Sequence, residues 1–355
     1  MLVSVGCDPT SNDRTNIDDC SSVADELDSV DTLAAFPEHL PVAKSMERSW
    51  PYLMERFPWA MFLSEGAFKR VYKVWNRYGG AYEALSVMDV DTIGEKGNLN
   101  LVGAELAVSV LLSSLARRNI CPNFVITRGV FTCQHEPPAQ LWGGRDDKAP
   151  CGIAYDGHSP PSDSCAPNPD LCGNYQYIRM ELCQHGDIEE FIKNHPEKML
   201  SPCHCRNLLF QMAFALHVAG DRFGLKHYDV KLLNFFLQSA KDPSIAEEEH
   251  PHVVLRYGVG SHVFSLRMHP STAQVAKLAD YGTSMTSVDK DWQPVTIGQF
   301  TTLENTPPDY LILGNAAQQG YGHDCFGLGL CMLHLFTGHG PYEEILDEVV
   351  CPENL

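Results

Sequence analysis

The sequence lacks the features that mark three classes of protein. No apolar run approaches the roughly 20 residues that a membrane-spanning helix needs. Basic residues are scarce, because 26 lysines and arginines against 45 aspartates and glutamates give a formal net charge of −19. The sequence therefore predicts neither a nucleic acid nor a membrane as a partner. The first residues carry no basic region followed by a long apolar stretch, so no secretory signal is predicted.

The chain also lacks a regular cysteine framework, although it contains 13 cysteines. Their number is odd and their spacing irregular, and a chain of 355 residues can bury a core without disulfides. One cluster, Cys203-His204-Cys205, raises the question of a metal. Adjacent ligands of this kind do not match the usual zinc spacings. A helix that starts after Ser201-Pro202 is the alternative that we favour.

Several segments stand out by their composition. Residues 1–45 are rich in Asp, Ser and Thr without an apolar period, which predicts an acidic, disordered tail. Residues 134–174 are rich in Pro, Gly, Ser and Cys, which predicts an inserted loop. Residues 239–272 contain two apolar runs around a glycine-containing turn, which predict an inserted hairpin. Two helices are predicted over 206–219 and 327–337, and the second is apolar nearly all round, as a buried helix is.

Chemistry is concentrated in the stretch His227-Tyr228-Asp229-Val230-Lys231-Leu232-Leu233-Asn234, which reads His-x-Asp-x-Lys-x-x-Asn. A hydroxyl nucleophile needs a carboxylate to orient it and take its proton, and Asp229 meets that need. A transferring phosphoryl group needs a cation, which Lys231 supplies, and a magnesium ion needs oxygen ligands such as the Asn234 amide. The alternative is a surface loop that happens to carry these three residues.

Four further segments accompany this stretch, and together the five resemble the motifs of the protein kinase family, from about Leu63 to about Tyr342. Asp280 opens the counterpart of the Asp-Phe-Gly motif, with Tyr281 in place of phenylalanine. The other three are Thr306-Pro307-Pro308-Asp309, which resembles Ala-Pro-Glu; Asp324-Cys325-Phe326-Gly327-Leu328-Gly329, which resembles the start of the helix that anchors the catalytic loop; and Ile178-Arg179-Met180-Glu181-Leu182-Cys183 with Gly186-Asp187, which resembles the hinge between two lobes.

The resemblance implies a fold and an activity. The fold class is α+β, a two-lobed protein kinase fold with a β-rich small lobe over 46–180 and an α-helical large lobe over 181–355. The chain ends soon after the anchoring helix, so we expect the large lobe to be incomplete. The implied activity is transfer of the ATP γ-phosphate to serine or threonine of a protein substrate, with ATP and Mg²⁺ as cofactors. An intracellular location, cytoplasmic or nuclear, follows, whereas the oligomeric state is not predicted.

The family's roles carry over to individual residues. Asp229 would act as the catalytic base with Lys231 beside it, and Asn234 and Asp280 would hold the magnesium. The remaining roles would fall to Gly66 in the phosphate loop, Val71 and Ala84 against the adenine, Met180 as the gatekeeper, the Glu181 carbonyl and the Cys183 backbone at the adenine edge, Asp187 at the ribose, and Thr302 near the catalytic aspartate.

The stretch Leu63–Val74 resembles the Gly-rich phosphate loop but departs from its pattern. Only the middle glycine, Gly66, is kept, and Ser64 and Lys69 stand in the other two glycine positions. On the next strand, Ser86 stands where the family places its phosphate-binding lysine. This substitution implies a pseudokinase, a scaffold that binds nucleotide weakly.

The other implication is that a different lysine takes over. Lys69 and Val71 lie two residues apart on one strand, so their side chains point the same way, and Lys69 faces the phosphates if Val71 packs on the adenine. A lysine here is similar to the arrangement in the with-no-lysine (WNK) kinases. The alternatives are that Lys69 is a solvated charge or that Lys73 does the work. Glu105 would pair with the lysine; otherwise it is a solvated glutamate favoured by the start of a helix.

One further departure concerns regulation. Many kinases use an arginine before the catalytic aspartate to bind a phosphate on the activation segment, and here that position is Tyr228. A phenol carries no positive charge, so we expect activity that does not depend on phosphorylation of that segment. A kinase-like phosphotransferase that acts on a small molecule is a third hypothesis, and the Pro307-Pro308-Asp309 platform favours a protein substrate over it.

Overall fold

A computed structural model of the protein describes residues 46–66, 68–144, 172–240, 252–287, 305–317 and 320–341. These residues form a mixed α+β structure with one six-stranded sheet and two two-stranded sheets. They divide into two compact units: the sheet unit, residues 46–110 and 126–182, and the helical unit, residues 111–125 and 183–341. The predicted tail over 1–45 and most of the predicted insertion over 134–174 lie outside the described residues.

The sheet unit is built around the six-stranded sheet, whose strands lie in the order β1-β5-β6-β4-β3-β2. All neighbouring strands are antiparallel except β1, which runs parallel to β5. In chain order the elements are β1 (Met46–Glu47), α1 (Trp50–Arg56), β2 (Trp59–Glu65), β3 (Arg70–Asn76), β4 (Ala81–Asp89), α2 (Val90–Glu95), α3 (Leu99–Arg117), β5 (Thr127–Cys133), α4 (Ala139–Trp142) and β6 (Tyr175–Glu181).

The sheet buries one set of alternate residues against α1 and α4, because successive side chains on a strand point to opposite faces. Tyr72 and Val74 on β3 and Leu85 and Val87 on β4 belong to this buried set, and Trp142 packs on them from α4. Residues 134–144, the first part of the predicted loop insertion, are therefore partly core, because the Trp142 side chain is buried there.

The opposite face of the sheet packs on α2 and α3. Among the described helices, α3 is the one whose length and composition would allow it to cross a membrane. That finding corrects the statement that no apolar run approaches membrane length. Of its most apolar 18-residue window, 61% is buried inside the protein, so core packing accounts for the apolar composition. The division between the two units falls within this helix.

The helical unit contains two long helices and two strand pairs. Its elements are α5 (Ile188–Asn194), α6 (Pro202–Phe223), β7 (Phe235–Ser239), β8 (Val253–Val259), β9 (His262–Met268), β10 (Gln274–Leu278), α7 (Pro308–Leu313) and α8 (Tyr321–Thr337), with 3₁₀ turns at Leu232–Asn234, Pro270–Thr272 and Gly314–Ala316. Strand β10 pairs with β7, and β8 pairs with β9, both antiparallel.

The two apolar runs predicted to form a hairpin are β8 and β9. They are joined at Gly260, whose φ of 58° lies in the left-handed region that glycine adopts without strain. The hairpin packs on α6 through Tyr257, whose ring lies 4.8 Å from that of Phe214 and 5.3 Å from that of Phe210. Aromatic contacts therefore fix the position of the hairpin.

Helix α6 begins where the sequence predicts. The Ser201 side chain accepts a hydrogen bond from the His204 backbone N–H, which caps the helix. His204 Nε2 contacts Gln274 Oε1 at 3.0 Å, and Cys205 Sγ donates to the Leu335 carbonyl. The described residues contain no group of three His, Cys, Asp or Glu placed to hold a metal. The side chains of His204 and Cys205 thus make hydrogen-bond contacts inside the helical unit.

Helix α8 is not buried all round, which corrects the prediction from its apolar composition. His323, Asp324 and Leu335 lie on its buried face. Its other face exposes Met332 by 43%, Leu333 by 52% and Phe336 by 40%. Composition alone did not separate these faces, because both carry apolar residues.

Candidate active site

The loop between β2 and β3 brings a lysine to a buried glutamate of α3. Lys69 Nζ lies 3.0 Å from Glu105 Oε1, and their side chains are 18% and 3% exposed. The loop is closed by a hydrogen bond from the Gly66 N–H to the Lys69 carbonyl at 2.8 Å. The predicted ion pair is therefore formed, and Glu105 is not a solvated glutamate. Phe68 fixes the loop further, because it packs on the core between the sheet and α3.

The two candidate lysines of this region have different surroundings. Lys73 Nζ lies 4.6 Å from the centre of the Tyr82 ring, in a cation–π contact with an exposed tyrosine. Lys69 is the one held against the α3 glutamate. Of the two, only Lys69 has the carboxylate partner that the sequence analysis assigned to the phosphate-binding lysine.

Ser86 occupies the interior of β4, opposite Val71 of β3 and Ile178 of β6. Its side chain is fully buried, and its Oγ has no hydrogen-bond partner among the described residues. A buried hydroxyl without a partner costs about 1–3 kcal/mol, so packing alone does not favour serine here. The strand accepts a small residue at this position and forms without distortion of its pairing.

Gly66 has no steric reason to be glycine within the described protein. A Cβ at this residue would come no closer than 3.9 Å to another described atom, the Lys69 carbonyl oxygen, so the space beside it is open. A side chain at Gly66 would fill space next to the loop backbone that carries Lys69. This opening fits a ligand that approaches the backbone closely.

The predicted adenine contacts of the sheet unit lie on neighbouring strands. Ala84 pairs with Met180 of β6, and Val71 is half-buried on β3. Met180 also packs on the core between the sheet and α3. Glu181 follows Met180 and forms two hydrogen bonds with Ile126, one from the Ile126 N–H to its carboxylate at 2.7 Å and one from its own N–H to the Ile126 carbonyl.

In the helical unit, the stretch around Asp229 forms a compact polar network. Lys231 Nζ lies 2.8 Å from Asp229 Oδ2, and Asn234 Nδ2 donates to the same oxygen at 3.0 Å. Asn234 Nδ2 also donates to the Asp229 carbonyl at 2.8 Å. The Lys231 ammonium and the Asn234 amide thus converge on one oxygen of the Asp229 carboxylate.

Strands β7 and β10 bring the two predicted magnesium ligands to one end of their sheet. Asn234 immediately precedes β7, and Asp280 follows β10 by two residues; Leu278 pairs with Phe235 in the register. Asp280 has a φ of 65°, a left-handed backbone that is uncommon for a residue other than glycine. Because Asn234 uses its amide nitrogen on Asp229, its amide oxygen remains for a cation. One amide and one carboxylate oxygen suit Mg²⁺, which keeps waters and phosphate oxygens as its other ligands.

His227 has a structural role within this stretch. Its side chain is fully buried, its Nε2 lies 3.1 Å from the Ala279 carbonyl, and its Nδ1 lies 3.3 Å from the Asp229 N–H. A carbonyl only accepts and a backbone N–H only donates, so the proton is on Nε2. The ring therefore connects the Asp229 stretch to the segment that carries Asp280.

Helix α8 holds the Asp229 stretch from the other side. Asp324 accepts hydrogen bonds from the His227 N–H at 2.7 Å and from the Tyr228 N–H at 2.8 Å. Burial raises the pKa of this carboxyl. One turn later, a Cβ at Gly327 would lie 2.6 Å from the Val230 carbonyl oxygen, so only glycine allows this approach. The sequence singled out the segment of Asp324 and Gly327 as a motif but did not identify these contacts.

The predicted ribose and hinge residues have local structural roles. Asp187 is the N-cap of α5, and its side chain accepts a hydrogen bond from the Glu190 N–H. Burial raises the pKa of the Asp187 carboxyl. The sequence analysis did not predict this capping role. The role explains an aspartate at this position without a bound ligand. Cys183 is half-buried, and Thr302 lies outside the described residues.

Two residues that sequence reasoning missed lie next to Tyr228. His323 on α8 and Tyr310 on α7 are both buried, and their rings are 5.1 Å apart. The His323 ring also lies 5.3 Å from that of Tyr228. No motif names these positions, and the one available signal was the presence of aromatic residues beside two motifs.

The arrangement can do two kinds of chemistry. The sheet unit presents a carboxylate-held lysine beside an open glycine, which suits an anionic ligand such as a phosphate. The helical unit presents the Asp229 carboxylate with a lysine at its side and places Asn234 and Asp280 at one end of the β7–β10 sheet, which suits proton transfer and a hard cation. No protein-family model matches the chain, and no curated protein matches it.

Proposed function

We propose that the chain is a serine/threonine protein kinase of two-lobed architecture, with the sheet unit as its small lobe and the helical unit as its large lobe. It transfers the γ-phosphate of ATP to a hydroxyl group of a protein substrate inside the cell. The observation that carries the proposal is the network of Lys231 and Asn234 on one oxygen of Asp229. A surface loop that merely happened to carry these residues would not require that convergence.

Each group then has a step in the transfer. Asp229 orients the substrate hydroxyl and accepts its proton while the new oxygen–phosphorus bond forms and ADP leaves. Lys231 offsets negative charge on the phosphoryl group that is being transferred. Magnesium, when bound, offsets charge on the ATP phosphates, and the Asn234 amide oxygen and the Asp280 carboxylate are the groups that would hold it.

Lys69 takes the phosphate contact that Ser86 cannot make. Glu105 orients the lysine in one direction, as the 3.0 Å ion pair indicates. The open space beside Gly66 supports a close approach of the phosphates to the loop backbone. Val71, Ala84 and Met180 supply the apolar surface for the adenine.

The second candidate is a pseudokinase scaffold, and the observation that favours it is Ser86. A kinase fold without the lysine on this strand can remain folded and yet no longer catalyse phosphoryl transfer. The two candidates differ in whether Asp229 matters for turnover, because a scaffold does not need a catalytic base.

The experiment is a transfer assay with radiolabelled ATP, accompanied by a thermal-shift titration with Mg-ATP. We expect Asp229→Asn to keep the Mg-ATP shift and to lower the transfer rate at least a hundred-fold, the typical contribution of a positioned base. Asp221→Asn, an exposed aspartate on α6, is the matched control and should leave both unchanged. Equal transfer rates in the wild type and Asp229→Asn would reject the catalytic assignment, and binding without transfer in the wild type would favour the scaffold.

A further inference from the structure

The three buried rings of Tyr228, His323 and Tyr310 form a continuous column that we call the ring column. The Tyr228–His323 rings are 5.3 Å apart with an interplanar angle of 75°, and the Tyr310–His323 rings are 5.1 Å apart at 67°. Both contacts have the edge-to-face geometry that aromatic rings prefer. His323 is the middle ring, so it couples the stretch of Asp229 to helix α7.

We propose that the ring column positions the Asp229 stretch through neutral contacts and thereby takes the place of an arginine–phosphate pair. The inference rests on the proposed kinase function. It adds a means of regulation: in this chain the active arrangement is built into the fold and does not wait for a phosphorylation.

The ends of the column are joined to different parts of the helical unit. Tyr228 has a φ of 64°, and its backbone N–H donates to Asp324, so its ring is directed by a constrained backbone. Tyr228 Oη lies 3.8 Å from Met285 Sδ, and Met285 and Lys226 exchange two backbone hydrogen bonds. The segment after Asp280 is thus attached to the same stretch that carries Asp229.

The attachment continues on both sides of Met285. Thr283 Oγ1 donates to the His227 carbonyl at 3.0 Å, and Ser287 donates to the Phe223 carbonyl through both its N–H and its Oγ. At the other side, Tyr310 enters the column from α7. The contacts of Thr283, Ser287 and Tyr310 are between uncharged groups, so none of these three needs a phosphate to form.

The middle ring carries no charge at neutral pH. Burial lowers the pKa of His323 to about 4, while the negative charges of Asp229 and Asp309 act in the opposite direction and His227 reinforces the decrease. Asp324, its neighbour on α8, uses its carboxylate on the His227 and Tyr228 N–H groups. The column is therefore an apolar packing element, and it lacks the cation that would bind a phosphate.

The test measures hydrogen–deuterium exchange of peptides covering residues 226–231, the stretch that carries Asp229. Tyr310→Ala removes the outer ring, which packs on His323 at the far end of the column from Asp229. We expect it to speed exchange there at least ten-fold, and we expect Tyr310→Phe, which keeps the ring, to restore slow exchange. Tyr257→Ala is the matched control, because Tyr257 is an equally buried tyrosine with ring contacts elsewhere in the same unit. It should lower thermal stability without speeding exchange over 226–231.

The kinetic arm uses the same variants. Tyr310→Ala should lower kcat with the KM for ATP unchanged, and phosphatase treatment should leave the wild-type rate within two-fold. The positioning role is rejected if Tyr310→Ala speeds exchange over 226–231 no more than Tyr257→Ala does. It is also rejected if phosphatase abolishes the wild-type activity, because the rings would then only pack in the core. If the wild type transfers no phosphate but the exchange pattern holds, the proposed function fails while the positioning role stands.

Discussion

The charged groups of the helical unit come from one short stretch of chain, whereas the lysine and glutamate of the sheet unit come from separate segments. Asp229, Lys231 and Asn234 converge on one another within a single stretch of chain. Lys69 instead reaches Glu105 from the loop before β3, and Ser86 stands at the position where the kinase resemblance predicts a lysine. Under the proposed function, the ion pair is therefore present, but a different element delivers its lysine.

The difference follows from how each unit holds its groups. The Asp229 stretch is fixed by backbone hydrogen bonds to Asp324 and by the tight approach of Gly327, so a change of register there would disturb the helix as well. A lysine is long and flexible, and two neighbouring segments can place its ammonium at the same point. Under the proposed function, a relocated lysine is therefore easier to accommodate in the sheet unit than a shifted Asp229 is in the helical unit.

The largest effect is expected from removing the relocated lysine. Lys69→Met should lower kcat/KM at least a hundred-fold, because it removes the phosphate contact and leaves Glu105 buried without its cation. Lys73→Met, at a lysine within β3 four residues later, is the matched control, and we expect less than a three-fold change. Steady-state transfer assays measure both. Similar losses in the two variants would mean that the contrast between the lysines has no catalytic meaning.

The next largest effect is a loss of stability in the helical unit, where helix α8 approaches the Asp229 stretch closely. Gly327→Ala should lower the free energy of unfolding by about 1–3 kcal/mol, because the new Cβ would press on the Val230 carbonyl oxygen. Gly329→Ala, two residues later on the same helix, meets no atom within 4 Å and should be neutral or slightly stabilising. Urea denaturation of both variants provides the comparison. A destabilised Gly329→Ala with an unaffected Gly327→Ala would show that the approach of α8 is not tight.

A pH effect of similar size should come from His323. Its folded pKa of about 4 lies below the ordinary value of 6.5, so the unfolded state binds the proton more readily. Stability is then complete above about pH 6.5 and declines as the pH falls toward 4, with a loss of about 2 kcal/mol at pH 5. The raised pKa of Asp324 acts in the opposite direction, so the wild type is compared with His323→Phe. Denaturation at pH 7 and pH 5 should show a smaller decline in the variant, and equal declines would contradict the assignment.

Sequence reasoning predicted a mixed α+β structure, which the described residues form, and it singled out Lys69, Glu105, Asp229 and Lys231, which form two ion pairs, but it did not identify how these groups are supported. Spacing placed Lys69 on one strand with Val71, but Lys69 lies in the loop before β3, which begins at Arg70. Spacing could not reveal the ring column, because Tyr228, His323 and Tyr310 come from three separate segments. The exposed face of α8 and the core position of Trp142 were also missed, since composition does not say which neighbours cover a residue.

The most direct measurement of the relocated lysine is a rescue. The transfer rate is compared among the wild type, Lys69→Met, and Lys69→Met combined with Ser86→Lys, with the thermal-shift response to Mg-ATP recorded for each. We predict a loss of at least a hundred-fold in the single variant and a recovery of about ten-fold when a lysine is returned to β4, because either segment can deliver the ammonium to Glu105. Full activity in Lys69→Met would contradict the claim that this lysine replaces the one missing at Ser86.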